Sequence, residues 1–231
     1  MKQYLYLLLD LLTILFPFIF SFYSKVNFSK KWKYLWIAIL IPGVIFILWD
    51  ELFTQLNVWG FNPEYLTGIY LGSLPLEEVL FFICIPYACV FTFEALNYLV
   101  KEDYLARYKR IISLTLISGV VIVAAFSLDK WYTATTFIGL ATYLIILEFF
   151  LNSAFLSRFY FSYIFLLIPF LLVNGILTGS FIEGEVVWYN DAENLGIRIG
   201  TIPVEDVFYG MLLLLMNVSV FEWLQRKKNY A

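Results

Sequence analysis

Seven stretches of about twenty residues carry almost no charge, and that is the length and composition a helix needs to cross the hydrocarbon of a bilayer. Their approximate limits are 4–23, 34–53, 75–99, 110–128, 132–151, 160–178 and 202–224. The whole chain agrees with them: of 231 residues, 62% are hydrophobic and only 14% charged, and the mean hydropathy is +0.82. A soluble domain of this length would need far more polar surface to cover its core. The sequence therefore predicts an all-α polytopic membrane protein with about seven transmembrane helices. The first stretch lacks a small-residue cleavage site and reads as a retained span, not as a signal peptide.

Several classes of chemistry drop out early. The net charge is −3 with scattered basic residues, so no nucleic-acid groove is expected. Histidine is absent, which removes the usual acid–base side chain and the usual transition-metal ligand together. Cys84 and Cys89 lie in one apolar run and read as buried small residues, with neither a disulfide nor a metal site expected. No G-x-G-x-x-G fingerprint, phosphate-cradling glycine loop or D-D-x-x-D stretch occurs. The nearest to the last, YNDAENLG at 189–196, is a weak match in a loop. Neither a flavin, a nicotinamide nor a metal is expected as cofactor.

Basic residues set the expected orientation. The segments 24–33, 100–110, 152–159 and 225–231 hold 12 of the 15 lysines and arginines, and only Lys2, Lys130 and Arg198 fall on the other side. The positive-inside rule then places the N-terminus outside and the C-terminus in the cytoplasm. Both long connections, 54–74 and 179–201, come to the outer face. Each leads into an acidic pair two residues after a proline: SLPLEEVLFF supplies Glu77 and Glu78, and TIPVEDVFYG supplies Glu205 and Asp206.

These motifs belong to a repeat. Asn62, Gly68, Pro75, Glu77, Val79 and Glu94 recur 128 residues later as Asn190, Gly196, Pro203, Glu205, Val207 and Glu222, and Glu78 recurs as Asp206. The expected division is a first repeat at 1–100 (helices 1–3), a spacer helix at 101–130 and a second repeat at 131–231 (helices 5–7). Four spans separate equivalent helices, so the two copies run parallel and are related by an axis along the membrane normal. Both acidic pairs then reach the same depth and can face one cavity.

Carboxylates in the first turn of a helix are favoured by its free amides and dipole, and a proline there loses no hydrogen bond. Each pair alone could therefore be a helix start. Two copies at one depth, with Asp50 and Glu51 at the same end of helix 2, favour a functional reading, because ionisable groups inside a membrane are costly. Neighbouring helical positions point about 100° apart, so one acid of each pair is expected to face the cavity while the other holds a neighbouring helix or relays protons. Glu77 shares a face with Phe81, and Glu78 with Phe82. Aromatic residues, 21% of the chain, gather near the acids at Trp49, Trp59, Phe61, Trp188 and Tyr189; most suit an interfacial belt, and some can present ring faces to a cation. Arg198 is read as a partner for a nearby carboxylate at least as readily as a substrate-binding group. Glu94 and Glu222 lie toward the cytoplasmic ends of their helices and are expected to serve packing.

The segments WDELFTQLNVWGFNPEYLTGIYLGSLPLEEVLFF and NGILTGSFIEGEVVWYNDAENLGIRIGTIPVEDVFYG resemble the two halves of the membrane-embedded lycopene cyclases, in the fused two-repeat form. The likeness spans essentially the whole chain. It rests on P-x-E-E and P-x-E-D together with the W-D and N-x-x-x-T-G pieces ahead of them. The resemblance implies a cofactor-free conversion of the linear ψ-ends of lycopene to β-rings: an acid protonates the terminal double bond, a neighbouring double bond closes the ring on the carbocation, and a base removes a proton. It carries acid–base roles onto Glu77, Glu78, Glu205 and Asp206, with Asp50, Asn174, Phe81, Trp49 and Tyr209 as supporting or substrate-binding groups. Asn174 stands where the first repeat has Asp50, so the halves are not expected to be equivalent. The implied partners are lycopene, the lipid bilayer and other carotenoid enzymes, and the implied location is the cytoplasmic membrane of a bacterium. Two other readings stay open: a proton-coupled carrier, which also uses parallel repeats and intramembrane acids, and a prenyl-transferring carotenoid elongase, which would want a diphosphate–magnesium motif.

Overall fold

The computed structural model describes residues 2–229, the side chains of 227–229 excepted. The side chains of Lys227 and Lys228, counted above for orientation, thus lie outside the described residues. Seven helices are long and apolar enough to cross a membrane. They are α1 (Leu5–Phe20), α2 (Trp32–Gln55), α3 (Leu76–Leu99), α4 (Lys109–Ala125), α5 (Trp131–Ile145), α6 (Leu156–Leu177) and α7 (Val204–Asn229). The protein is an all-α integral membrane protein, as its hydropathy requires.

The bundle is organised around α3 and α7. Helix α3 packs on α1, α2, α6 and α7, while α7 also meets α2 and α5; α4 packs on α5. One apolar cluster runs through this centre, from Phe28 and Phe221 to Phe46, Phe82 and Tyr163. Helix α6 begins four residues before the apolar run suggests. Its polar first turn is tied to the 100–103 segment: Arg158 donates to the carbonyls of Val100 and Lys101, and Ser157 donates to Asp103 at 2.5 Å. Helix α5 ends in a π-turn at Ile146–Phe150, where buried Glu148 accepts from Ser113 at 3.1 Å and faces Lys109 at 3.5 Å.

The two long connections are ordered by three short antiparallel ribbons that hydropathy did not reveal. Strand β1 (Trp59–Phe61) pairs with β4 (Val187–Tyr189), β2 (Tyr70–Leu71) with β3 (Leu74–Pro75), and β5 (Arg198–Ile199) with β6 (Ile202–Pro203). The β1–β4 register places Gly60 opposite Trp188, with Trp59 against Tyr189 and Phe61 against Val187. An offset of 128 makes Gly60 and Trp188 counterparts, so the ribbon pairs each half with the other about its own midpoint. The flanking bonds keep that symmetry: Asn62 N donates to Val186 O at 2.8 Å and Asn190 N donates to Val58 O at 2.9 Å. A Cβ at Gly60 would fall within the Trp188 indole, so any side chain there would have to push the ring aside.

The prolines act differently from a first-turn proline. Pro75 and Pro203 close strands β3 and β6, opposite Tyr70 and Arg198, and Pro75 stays extended at the helix cap. The first helical amides are then satisfied by the hairpins themselves: Leu76 N donates to Ile69 O at 2.8 Å and Val204 N to Ile197 O at 2.9 Å. The tight turns between these strands use Gly72 and Gly200, at φ +69° and +66°, where side chains are disfavoured.

Candidate functional site

The acidic pairs enter the bundle at the ribbon end of α3 and α7, and the hairpins fix where each carboxylate points. Glu77 and Glu205 turn back toward the loops. Glu77 Oε1 accepts from Thr67 N and Glu205 Oε1 from Leu195 N, both at 2.7 Å and again 128 residues apart. Thr133 adds a bond to Glu205 at 2.6 Å. Both side chains are fully buried, and neither lines the central cavity.

Glu78 and Asp206, one position further along, turn into that cavity. It measures about 560 Å³ and is walled by α1, α2, α3, α5, α6, α7 and the β1–β4 ribbon. Asp50, Asn174, Phe81 and Tyr209 also line it. Trp49 stands one layer behind, its ring 5.2 Å from Tyr209, 5.4 Å from Phe46 and 5.8 Å from Phe53. Along α3 the lining runs from Glu78 to Thr92. Fourteen residues of helix at about 1.5 Å each give the cavity a length of roughly 20 Å, with the acids at one end. Leu12 and Phe16 of α1 and Leu172 of α6 line it while remaining more than half exposed, so it reaches the lipid-facing surface between those helices. Among the described residues that line it there is no lysine or arginine.

Each half surrounds its cavity-facing acid differently. In the first half, Tyr6 donates to Glu78 Oε2 at 2.5 Å and the Trp59 indole N–H donates to Asp50 Oδ1. The Asp50 and Glu78 carboxyls line the same cavity, and Asp50 Oδ2 is buried there without an N–H or O–H donor. Two buried carboxyl groups side by side with so few donors favour a form that holds a proton over a pair of anions. In the second half Asp206 receives three donors: Tyr132 on Oδ1, then Asn174 at 2.6 Å and Tyr189 at 3.0 Å on Oδ2. Burial, with the Asp206 charge adding to it, raises the Tyr189 phenol well above its usual range and keeps it a donor. Trp59 joins the halves, its ring 5.0 Å from Tyr132 and 6.2 Å from Tyr189.

Tyr6 and Tyr132 were not singled out from the sequence. They match at an offset of 126 instead of 128, so a two-residue slip between the first and second helices of each repeat hides them. Asp10, in α1, was also passed over; it is 1% exposed and its Oδ2 meets no donor. At the far end of the helices Glu94 pairs with Lys31, and Glu222 lies 3.8 Å from Arg226. Arg198 pairs with Asp191 at 2.6 Å in the second hairpin. Among the described residues no three or more aspartates, glutamates or cysteines gather as a metal site.

Fold and site together define an integral membrane protein that encloses buried carboxyl groups at one end of a long apolar cavity. The lycopene cyclase family model matches residues 3–96 and again residues 129–224. The chain belongs to the lycopene cyclase family, and the two matched stretches cover both copies of the repeat. Membership carries an enzymatic activity in carotenoid biosynthesis with a polyene as substrate. Comparison with curated proteins and with solved structures returned no match.

Proposed function

We propose that the protein converts the linear ψ-ends of lycopene to β-rings by adding a proton and removing another, with no net change of redox state. The observation that carries this reading is the cavity: apolar and aromatic along about its whole length, free of basic side chains, and ending on Asp50, Glu78 and Asp206. A carbocation needs a dry site, nearby negative charge and ring faces, and a group that can give or take a proton. A volume near 560 Å³ falls within the range of about 300–1,000 Å³ typical for ligand sites.

Glu78, Asp50 and Asp206 are the groups placed to act on the polyene. Glu77 and Glu205 serve the site by anchoring the 54–74 and 179–201 segments that roof it. Asn174, Tyr209 and Phe81 shape the wall, and Trp49 supports Tyr209. The chain works as two repeats, 1–100 and 131–231, joined by a spacer at 101–130, a division supported by the hydrogen bonds that recur at the 128-residue offset. Turnover needs neither flavin nor nicotinamide. The protein sits in a bacterial cytoplasmic membrane with its ribbon end outside, an orientation supported by the basic segments, and receives the polyene from other carotenoid enzymes.

The test is expression in a lycopene-accumulating bacterial host followed by pigment chromatography. Monocyclic and bicyclic β-ring carotenes are expected. Unchanged lycopene in cells that hold the protein in their membranes would overturn the reading.

A further inference from the structure

The two halves of the site differ in a way that cyclisation can use. In the first half two carboxyl groups, Asp50 and Glu78, line the same cavity and receive one donor each from Trp59 and Tyr6, and Asp50 Oδ2 is buried with none. In the second half a single carboxyl, Asp206, receives three donors and faces an amide where its counterpart faces an acid. Two neighbouring buried carboxyl groups with one donor each are disfavoured as a pair of anions and suit holding a proton, whereas three donors converging on one carboxylate match its ionised form. The Asn174 amide reinforces this, because it turns its N–H₂ and not its oxygen toward Asp206.

We infer that the halves have divided the labour: the Asp50–Glu78 pair holds the proton given to the polyene, and Asp206 is the base that takes the proton from the closed ring. This rests on the cyclase reading. The terminal double bond supplies the electron pair for a new C–H bond as the proton leaves the pair, leaving a tertiary cation. The next double bond attacks that cation to form the ring bond and moves the charge into the ring. Asp206 then removes the ring-junction proton, whose C–H electrons become the β-ring double bond. Once product leaves, Asp206 gives its proton to solvent and the pair takes one from solvent, so nothing is oxidised or reduced.

The assignment separates the variants by product and not only by rate. Purified protein in liposomes, given lycopene in D₂O, is expected to make β-rings carrying one deuterium each. E78Q and D50N are expected to leave lycopene unconverted, with rates down by roughly 10²-fold or more. D206N still forms the cation, so lycopene is consumed and ends as deuterated isomers or water-quenched alcohols instead of β-rings; Asp206→Glu restores β-rings. Infrared spectra without substrate provide a readout independent of turnover: the carbonyl band of a neutral carboxylic acid should be lost in E78Q and kept in D206N. Unconverted lycopene with D206N but diverted products with E78Q, or a neutral-acid band lost only in D206N, would overturn the division while leaving the cyclase reading intact. A wild-type protein that leaves lycopene untouched would remove both.

Discussion

At the scale of single residues, adjacent acids do different work because a helix separates their directions and the hairpins occupy one of them. Glu77 and Glu205 each hold a backbone amide with one oxygen, and Oε2 of each is buried without a donor. Glu77→Gln and Glu205→Gln keep the shape but exchange a carboxyl group for an amide and bury extra N–H groups. We expect a loss of roughly 1–3 kcal/mol in stability. It should appear as a lower melting temperature in detergent, with the carotene products of the surviving enzyme unchanged. A melting temperature unchanged alongside altered products would assign these two glutamates to the chemistry instead. The residues that sequence reasoning missed are also explained at this scale. Tyr6 and Tyr132 look like any aromatic residue near a membrane surface until the fold sets their hydroxyls on Glu78 and Asp206.

At the scale of elements, the ribbons convert a repeat in sequence into a closed roof over the cavity. The β1–β4 pair depends on a glycine opposite a tryptophan, so Gly60→Ala should force the Trp188 ring aside and cost about 1–3 kcal/mol, the usual range for overpacking. Tryptophan fluorescence and thermal melting of the variant would show it; a wild-type melting curve would mean that the indole finds room elsewhere. The second hairpin carries its own charge pair. Arg198 donates to Asp191 and holds that carboxyl below the usual aspartate range, with burial opposing it. A depressed value means that the pair contributes above about pH 4 and is lost as pH falls through the lower folded value. The Asp191 side chain is 62% exposed, so the contribution is on the order of 0.2–1 kcal/mol. At neutral pH, Asp191→Asn should speed amide exchange at residues 198–202 and leave residues 70–74 unaffected. Equal acceleration in both hairpins would refute that local role.

At the scale of the whole molecule, two unequal copies of one motif line a single cavity. Parallel copies put both acids at the same end of the bundle; inverted copies would have set them at opposite membrane faces. The basic segments gather at the end away from the ribbons and predict that this end faces the cytoplasm. A cytoplasm-active reporter fused after Lys228 should be active, and a periplasm-active one silent. The reverse pattern would invert the protein in its membrane without altering the site.

Hydropathy located all seven helices to within a few residues, because burying a helix in lipid depends on composition along the chain and little on its neighbours. The repeat in the sequence likewise foretold that two acidic motifs would share one depth. It could not foretell which acid of each pair turns inward. That was decided by hairpins whose strands, such as Tyr70–Leu71 and Leu74–Pro75, are too short for a periodic signal and exist because they close against each other. Nor could it show that Asp50 comes to share a cavity with Glu78, since the two sit on helices α2 and α3 across a loop. The donors that distinguish the halves come from still farther along the chain, Tyr6 72 residues from Glu78 and Tyr132 74 from Asp206. Composition placed the chain in the membrane, and packing between distant segments made its carboxyl groups unequal.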